Sequence, residues 1–248
     1  MAAPNLQAEG ALAASTTSTV GPTVPTHAAD DILFATVIIY APNTGANVSA
    51  IPTPASWTKI GEANMVGALI TVGKIAWYWI RASGSGTTVT FTRGANWDTG
   101  NDTCYAARVD VIRGCVTTGN PYDNTGVANS SVAYTAANQA FVGVTVTGAE
   151  RMVVQFGGCG DNTTFAMTAT GWTAGTGSAT STGTDANSMN QRKDNVSSST
   201  GTDTATVDAP ANTESGYSFC GVSFKPPVTG RGIGPRVILQ AVNRASTY

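Results

Sequence analysis

Alternation of apolar and polar residues is clearest between Tyr105 and Gly114. One side of this two-residue period is entirely apolar, whereas the other side includes two charged residues, Arg108 and Asp110. Such a pattern predicts a β-strand with one face in the core and the other face mostly in water, ended by Gly114. The apolar side consists of Tyr105, Ala107, Val109 and Val111.

Two earlier segments predict strands that are more deeply buried. Residues 31–40 are almost continuously apolar and β-branched, which is typical of a strand covered on both faces. Within residues 69–80, Ile75, Trp77 and Trp79 fall on one face of the two-residue period. Aromatic residues with that spacing are typical of a core strand.

The second half of the chain shows a weaker pattern. Residues 141–147 and 152–156 predict a hairpin, and residues 202–207 and 217–224 predict the closing strands. Residues 174–199 are rich in Gly, Ser, Thr and Ala, and they indicate no strand register.

About ten short strands separated by turns, without a convincing amphipathic helix, predict an all-β chain. We expect an antiparallel β-sandwich that is jelly-roll-like. Trp57 and Trp172 occupy similar corner sequences, which indicates some two-fold internal similarity. The predicted organisation is an N-terminal arm (residues 1–26), a β-sandwich body (residues 27–227) and a basic C-terminal arm (residues 228–248).

Net charge argues against two classes of binding partner, nucleic acid and anionic membranes. The 248 residues carry a net charge of −2, so no global field favours nucleic acid or an anionic membrane, and we expect neither as a partner. The charge is unevenly distributed, because residues 225–248 contain four bases and no acid. This segment therefore has a charge of +4, which leaves −6 for the rest of the chain.

The start of the chain and its cysteines bear on the compartment of the protein. The first ten residues lack the basic and apolar regions of a signal peptide, and no apolar run approaches the roughly 18 residues of a membrane helix. Cys104 and Cys115 lie at opposite ends of one predicted strand, and no cysteine has a metal-binding spacing. We expect that Cys104, Cys115, Cys159 and Cys220 are free, mostly buried thiols in a reducing compartment.

The sequence predicts no catalytic, cofactor or metal site. His27, the only histidine, precedes the first core strand, and we interpret it as structural. Asp98, Asn101 and Asp102 are spaced unlike a calcium loop, so a turn with Asx hydrogen bonds is preferred to a calcium site. The scattered carboxylates give no convincing glycosidase pair. We therefore predict that the protein is not an enzyme.

Trp97 is the one aromatic residue that suggests a surface ligand. It lies in a polar loop, where an indole ring could stack on a sugar. We name it as the possible glycan contact, against the simpler interpretation that its ring packs on the core.

Several short motifs occur in an order that resembles a β-sandwich family of structural proteins from tailed phages and prophages. Members of that family run P-x-H-x-x-G-D, P-x-G-W, K-R-A-T, R-G followed by P-hydrophobic-D, then G-W-T and a closing P. In this chain Asp30 and Ser56 replace the glycines of the first two motifs, and Ile80 replaces the lysine of the third. The corresponding segments are Pro25-Thr26-His27 with Asp31-Ile32-Leu33, Pro54-Ala55-Ser56-Trp57, Trp79-Ile80-Arg81-Ala82, Arg113-Gly114 with Asn120-Pro121-Tyr122-Asp123, Gly171-Trp172-Thr173 and Phe224-Lys225-Pro226.

The resemblance implies a non-enzymatic virion protein, and it transfers no catalytic residue. We expect a capsid decoration (cement) protein of a bacteriophage, assembled in the host cytoplasm, with capsid subunits and further copies of itself as partners on the particle. The alternatives are a neck or tail component and a glycan-binding host-recognition module. We predict that the C-terminal arm attaches the protein through Arg231, Arg236, Val237, Ile238, Leu239, Val242 and Arg244.

Overall fold

The structure, a computed structural model, describes residues 3–40, 49–65, 73–95, 97, 104–123, 128–133, 139–141, 144–159, 167–168, 171–180, 186–197, 203–207 and 216–227. These residues contain no helix, and hence none long and apolar enough to cross a membrane. They form seventeen strands: β1 (Asn5–Ala8), β2 (Ala13–Ser15), β3 (Thr19–Val20), β4 (Ile32–Tyr40), β5 (Thr58–Met65), β6 (Gly73–Arg81), β7 (Phe91–Thr92), β8 (Cys104–Arg113), β9 (Ala128–Ala133), β10 (Gln139–Phe141), β11 (Arg151–Cys159), β12 (Met167–Thr168), β13 (Thr173–Ala174), β14 (Ser178–Thr180), β15 (Ala186–Val196), β16 (Asp203–Val207) and β17 (Gly216–Phe224).

The first half of the chain builds a six-stranded antiparallel sheet. Its strand order is β1–β8–β4–β6–β5, and β2 also pairs with β8. Strand β4 occupies the centre and is buried along its whole length. This confirms the double burial predicted for residues 31–40, because a continuous apolar run supplies both faces of a strand.

The second half of the chain builds the other six-stranded sheet, in the order β13–β15–β11–β17–β9, with β14 also on β15. All described pairs are antiparallel, which confirms the predicted fold class. The strand order does not confirm a jelly-roll connectivity, because each half of the chain stays within its own large sheet. Two small ladders, β3–β7 and β10–β16–β12, complete the described strands.

Apolar side chains from both large sheets meet in a shared core. Phe34 of β4 stacks on Phe156 of β11 with ring centroids 3.8 Å apart, and Phe224 of β17 packs edge-on against Phe34. Trp77 is fully buried in the same core. These rings remove a large apolar area from water, so the two sheets pack face to face as a sandwich.

The opposite face of the first sheet is also buried. Tyr78 and Tyr105 contribute to this second core, which is covered by the β3–β7 ladder and by the loop that carries Ile51 and Trp57. The first sheet is therefore the central layer of the molecule.

The prediction of a separate N-terminal arm is wrong for the described residues 3–26. Strands β1 and β2 pair with β8, and β3 pairs with β7. Leu6 lies opposite Ile112, and Ala14 lies opposite Ala106. The segment shows no apolar period because an edge strand is held largely by backbone hydrogen bonds, which almost any residue can make.

The predicted hairpin of residues 141–147 and 152–156 is also wrong. Strand β11 pairs with β15 on one edge and with β17 on the other, so no edge is left for residues 144–147. Val144 and Val146 instead pack with Val153 on the outer face of the second sheet. An alternating segment that lies across a sheet face produces the same sequence pattern as a paired strand.

Candidate functional site

The C-terminal end of the body is the point from which residues 228–248 continue. The N–H of Lys225 donates to the carbonyl oxygen of Pro121 at 2.8 Å, and the carbonyl oxygen of Lys225 accepts from the N–H of Val116 at 3.0 Å. The next two residues are prolines, which cannot donate to a β-ladder. Strand β17 therefore ends at Phe224, and the backbone of Lys225 fixes the position of the described C-terminal residues.

A shallow groove of about 350 Å³ opens beside this position, and we call it the exit groove. Arg151 is held in its wall, because Nε donates to Oδ2 of Asp123 at 3.2 Å and Nη1 donates to the carbonyl oxygen of Ala149 at 3.1 Å. Two cationic side chains, one acidic side chain and two prolines thus line this groove. The lining consists of Val116, Ala149, Glu150, Arg151, Lys225, Pro226 and Pro227.

Asp123 anchors the same end of the sandwich. Its carboxylate accepts hydrogen bonds from Oγ1 of Thr147 at 2.7 Å, from Nε of Arg151 at 3.2 Å and from Oγ of Ser223 at 3.1 Å. Burial by itself raises the pKa of Asp123, but the hydrogen bonds from Thr147 and Arg151 outweigh burial and hold the pKa below its ordinary value. Asp123 is therefore an ionised structural acceptor at neutral pH.

The attachment residues predicted for the C-terminal arm lie outside the described residues, as do the three residues weighed as a calcium site. Their roles stay predictions. Within the described part of the chain, no group of three or more His, Cys, Asp or Glu side chains could hold a metal ion. The predicted residues outside the described part of the chain are Arg231, Arg236, Val237, Ile238, Leu239, Val242 and Arg244 of the C-terminal arm, and Asp98, Asn101 and Asp102 of the loop weighed as a calcium site.

Arg108 and Asp110 form a buried ion pair, which corrects the prediction that their face of β8 lies in water. Arg108 is 1% exposed and Asp110 is 2% exposed, and Nε of Arg108 donates to Oδ1 of Asp110 at 2.8 Å. That face of β8 also carries Ala106 and Ile112 of the shared core. Because β8 lies in the central layer, both of its faces are covered.

Glu9 connects this ion pair to both large sheets. Its Oε1 accepts from Nη2 of Arg108 at 3.2 Å, from Nδ2 of Asn190 in β15 at 2.7 Å and from the N–H of Thr176 at 3.0 Å. The carboxylate is thus bonded to β8 of the first sheet, to β15 of the second sheet and to the segment that precedes β14. We call Glu9, Arg108, Asp110 and Asn190 the intersheet charge cluster.

Gly10 allows the N-terminal segment to approach this cluster closely. Its N–H donates to Oδ1 of Asp110 at 3.0 Å, and a Cβ atom added at Gly10 would collide with the carbonyl oxygen of Val109. Burial raises the pKa of Asp110, and the charge and hydrogen bond of Arg108 oppose only part of that rise. The cluster therefore fastens the N-terminal segment to the body.

His27 occupies a structural position. Its Nδ1 lies 2.7 Å from the carbonyl oxygen of Pro25, and its Nε2 accepts a hydrogen bond from the N–H of Thr87 at 3.2 Å. Both ring nitrogens thus face backbone groups. Both nitrogens are used in backbone hydrogen bonds, so this geometry fits the structural interpretation rather than a catalytic base.

Trp97 does not provide the surface that the glycan prediction requires. Its side chain is 5% exposed, belongs to the second core with Ile51, and donates from Nε1 to the carbonyl oxygen of Ser49 at 3.2 Å. A sugar could stack on this ring only if the ring left the core. The polar sequence around Trp97 was misleading because its ring is buried in the second core.

A second groove, of about 490 Å³, lies where β5 begins and β6 ends, and we call it the Trp79 groove. The half-buried ring of Trp79 contributes to its wall, and the ring of Tyr122 packs edge-on against it with centroids 6.3 Å apart. Arg81 donates to the carbonyl oxygens of Asp30 at 3.4 Å and Gly119 at 3.2 Å. The lining consists of Ser56, Thr58, Trp79, Ile80, Arg81 and Ser83.

The sequence interpretation missed the Trp79 groove because it assigned Trp79 wholly to the core. The available signal was the change from apolar to polar residues after Ile80, where Arg81 and Ser83 mark the end of the sandwich. Trp77, two residues earlier on the same face, is fully buried as predicted.

Cys104, Cys115 and Cys220 are buried and form no disulfide, which confirms the prediction of buried thiols for three of the four cysteines. Burial raises the pKa of the Cys115 thiol to about 12, and it raises the pKa of Cys220 as well. Both thiols are protonated at neutral pH and are poor nucleophiles. The side chain of Cys159 is outside what the structure describes.

The described residues thus offer two surface features for binding, the exit groove and the Trp79 groove, on a body held together by internal ion pairs. Comparison with known proteins finds no matching family model, no matching curated protein and no matching solved structure.

Proposed function

We propose that this chain is a non-enzymatic structural protein of a tailed-phage virion, and that it decorates the capsid through residues 228–248. Its partners in this proposal are major capsid subunits and neighbouring copies of itself, and it joins the particle in the host cytoplasm. The motif order that resembles phage structural proteins supports the class of protein, and the all-β architecture is compatible with it.

The contrast between the two ends of the chain carries this proposal. The N-terminal segment is paired with β8 and held by the intersheet charge cluster, so it is part of the body. The C-terminal segment starts beside the exit groove, and it carries three arginines around the apolar residues 237–239. Guanidinium groups suit carboxylates on a partner, and apolar residues between them suit burial against its surface.

Ion pairing within the body supports a structural rather than a catalytic role. Asp31 accepts two hydrogen bonds from Arg113, at 2.9 and 2.7 Å. Glu62 accepts from Lys59 at 2.7 Å and from Lys74 at 3.1 Å. These carboxylates accept hydrogen bonds from cationic side chains of the same chain. Buried acids with a structural role typically have such partners.

The copy number per particle tests the proposed location. Quantitative mass spectrometry of purified particles should find on the order of hundreds of copies, in fixed proportion to the major capsid protein, because decoration follows the repeating capsid surface. A neck or tail component would instead occur in about twelve copies or a similar multiple of three or six. Absence of the protein from purified particles would contradict the proposal as a whole.

A further inference from the structure

We propose that the Trp79 groove binds saccharides that carry a carboxylate, such as uronic acids. The groove is formed by β5, β6 and the residues that flank them, and none of its lining belongs to the C-terminal segment. The inference therefore stands apart from the decoration role, and the free protein is sufficient to test it.

The groove combines the groups that a sugar ring requires. Trp79 offers part of an indole ring, on which the C–H face of a sugar can stack. The exposed side chains of Ser56, Thr58 and Ser83 each place a hydroxyl, which can donate and accept hydrogen bonds, around that ring. The volume of about 490 Å³ lies within the range of small-molecule sites.

Arg81 gives the groove its preference for an acidic sugar. It is the one charged side chain among the described lining residues. The two carbonyl oxygens that hold it use only part of its five N–H donors, so the rest are left for a ligand. A guanidinium group matches a carboxylate with two parallel hydrogen bonds, a geometry that a neutral hydroxymethyl group cannot reproduce.

The main binding groups are held in position without a ligand. Tyr122 packs at 90° against the ring of Trp79, and carbonyl oxygens of Asp30 and Gly119 orient Arg81. Thr58 lies opposite Trp79 in the β5–β6 ladder, so the strand register sets the spacing between hydroxyl and ring. Groups that are already ordered lose less conformational freedom when a ligand binds.

Two residues with a strained backbone lie beside the groove. In the described part of the chain four non-glycine residues have positive φ, and two of them support this groove. Ser56, with φ 67°, lines it, and Asp30, with φ 68°, supplies a carbonyl oxygen to Arg81. Such conformations are unfavourable for residues with a Cβ atom and cluster at binding sites. Glycine would relieve the strain at Ser56, but it would also remove the hydroxyl.

Nuclear magnetic resonance titration of the full-length protein tests the inference with matched sugars. Methyl β-glucuronide and methyl β-glucoside differ only by a carboxylate in place of a hydroxymethyl group, and methyl galacturonide and methyl N-acetylneuraminide extend the acidic set. The resonances of the Trp79 indole N–H and the Ser83 amide should move with an acidic sugar, with a dissociation constant on the order of 1 mM. The glucoside should bind roughly fivefold more weakly than the glucuronide.

Three variants separate binding from folding. Arg81→Gln should equalise the affinities for glucuronide and glucoside, because the carboxylate loses its partner. Ser56→Gly should weaken the binding of both sugars by roughly two- to fivefold, because it removes a hydroxyl from the groove. The fold should be kept, because glycine accepts the local φ. Lys193→Gln is the matched control. Nζ of Lys193 lies 5.5 Å from the ring centre of Trp172, so this substitution removes a cation beside a different half-buried tryptophan.

Preference for an acidic sugar that Arg81→Gln abolishes and Lys193→Gln leaves intact would support the inference. No shift of the groove resonances with any of the acidic sugars at about 20 mM would overturn it, since even weak sugar sites are populated at that concentration. Equal affinity for glucuronide and glucoside, or equal effects of Arg81→Gln and Lys193→Gln, would overturn it as well.

Discussion

The backbone at Asp30 and Ser56 adopts φ values of 68° and 67°, in the region that residues with a Cβ atom rarely occupy. These are the positions at which Asp and Ser replace the glycines of the first two quoted motifs. Gly171 also has positive φ, at 80°, and like Ser56 it precedes a tryptophan at the start of an edge strand. The two corners predicted from Trp57 and Trp172 therefore share a positive φ before the tryptophan.

Exchanging the residues at these corners should change stability in opposite directions. Ser56→Gly should raise the free energy of unfolding by about 0.5–1 kcal/mol, because it relieves the left-handed strain. Gly171→Ser is the mirror control and should lower it by about 1 kcal/mol, since a Cβ atom there would make only an ordinary contact with the Lys193 side chain, at 3.8 Å, and the φ angle is what opposes it. Urea unfolding measures both, and a loss of stability in Ser56→Gly would contradict the assigned strain.

Asp123 should make the protein sensitive to acid. Its pKa in the folded state lies below the ordinary value of 3.8, so its stabilisation is complete above about pH 4 and is lost as the pH falls through the folded-state pKa. Asp123→Asn should therefore lower the free energy of unfolding at pH 7 by about 1–2 kcal/mol, and this difference should shrink below about pH 4.

Urea unfolding of wild type and Asp123→Asn between about pH 3 and pH 7 measures this difference, because Asp123 begins to take up its proton within that pH range. Asp194→Asn is the control, because Asp194 is half exposed and its pairing with Arg192 at 3.5 Å should be worth less than about 1 kcal/mol. A difference for Asp123→Asn that stays constant across this range would show that the carboxylate charge is not what matters.

At the scale of elements, sequence predicted best where burial is uniform. Strands β4 and β6 lie at the centre of a sheet, and their apolar side chains alternate between the two cores. Because both faces are apolar and buried, the sequence was enough to assign these faces correctly. Strand β15, the longest strand, was missed because its inner face carries Asn190, which bonds to Glu9 rather than to an apolar neighbour. Polar pairing between distant segments leaves no periodic signal.

Breaking the intersheet charge cluster should be costly. Arg108→Met leaves Asp110 and part of Glu9 buried without a cation, and should lower the free energy of unfolding by about 3–5 kcal/mol. The double variant Arg108→Met/Asp110→Leu should recover much of that loss, because no isolated charge then remains on β8. Thermal and urea unfolding measure both, and a single variant within about 1 kcal/mol of wild type would argue that water reaches the cluster.

At the scale of the whole molecule, sequence alone predicted the all-β fold class. It did not locate the Trp79 groove, because that surface arises where the end of β6 meets Gly119 and Tyr122, residues remote in sequence. It also misassigned the N-terminal segment, whose attachment depends on Glu9 reaching β15 in the other half of the chain. Contacts between distant segments determine both features, and single-segment patterns do not record them.

Basic and acidic residues are unevenly distributed along the whole chain. Residues 225–248 carry +4, and the rest of the chain carries −6. A basic segment on an acidic body favours binding to carboxylates of a partner, and such binding weakens as salt increases.

Truncation after Pro227 tests the central claim most directly. The variant lacks the proposed attachment segment, whereas its described body is unchanged, so circular dichroism and urea unfolding should match those of the full chain. Arg231→Gln/Arg236→Gln/Arg244→Gln is the control of equal length, and it should weaken attachment and make the remaining attachment less dependent on salt concentration. Purified particles assembled with the truncated protein should lack it, as measured by quantitative mass spectrometry. Truncated protein present at unchanged copy number and released at the same salt concentration as the full chain would contradict the account.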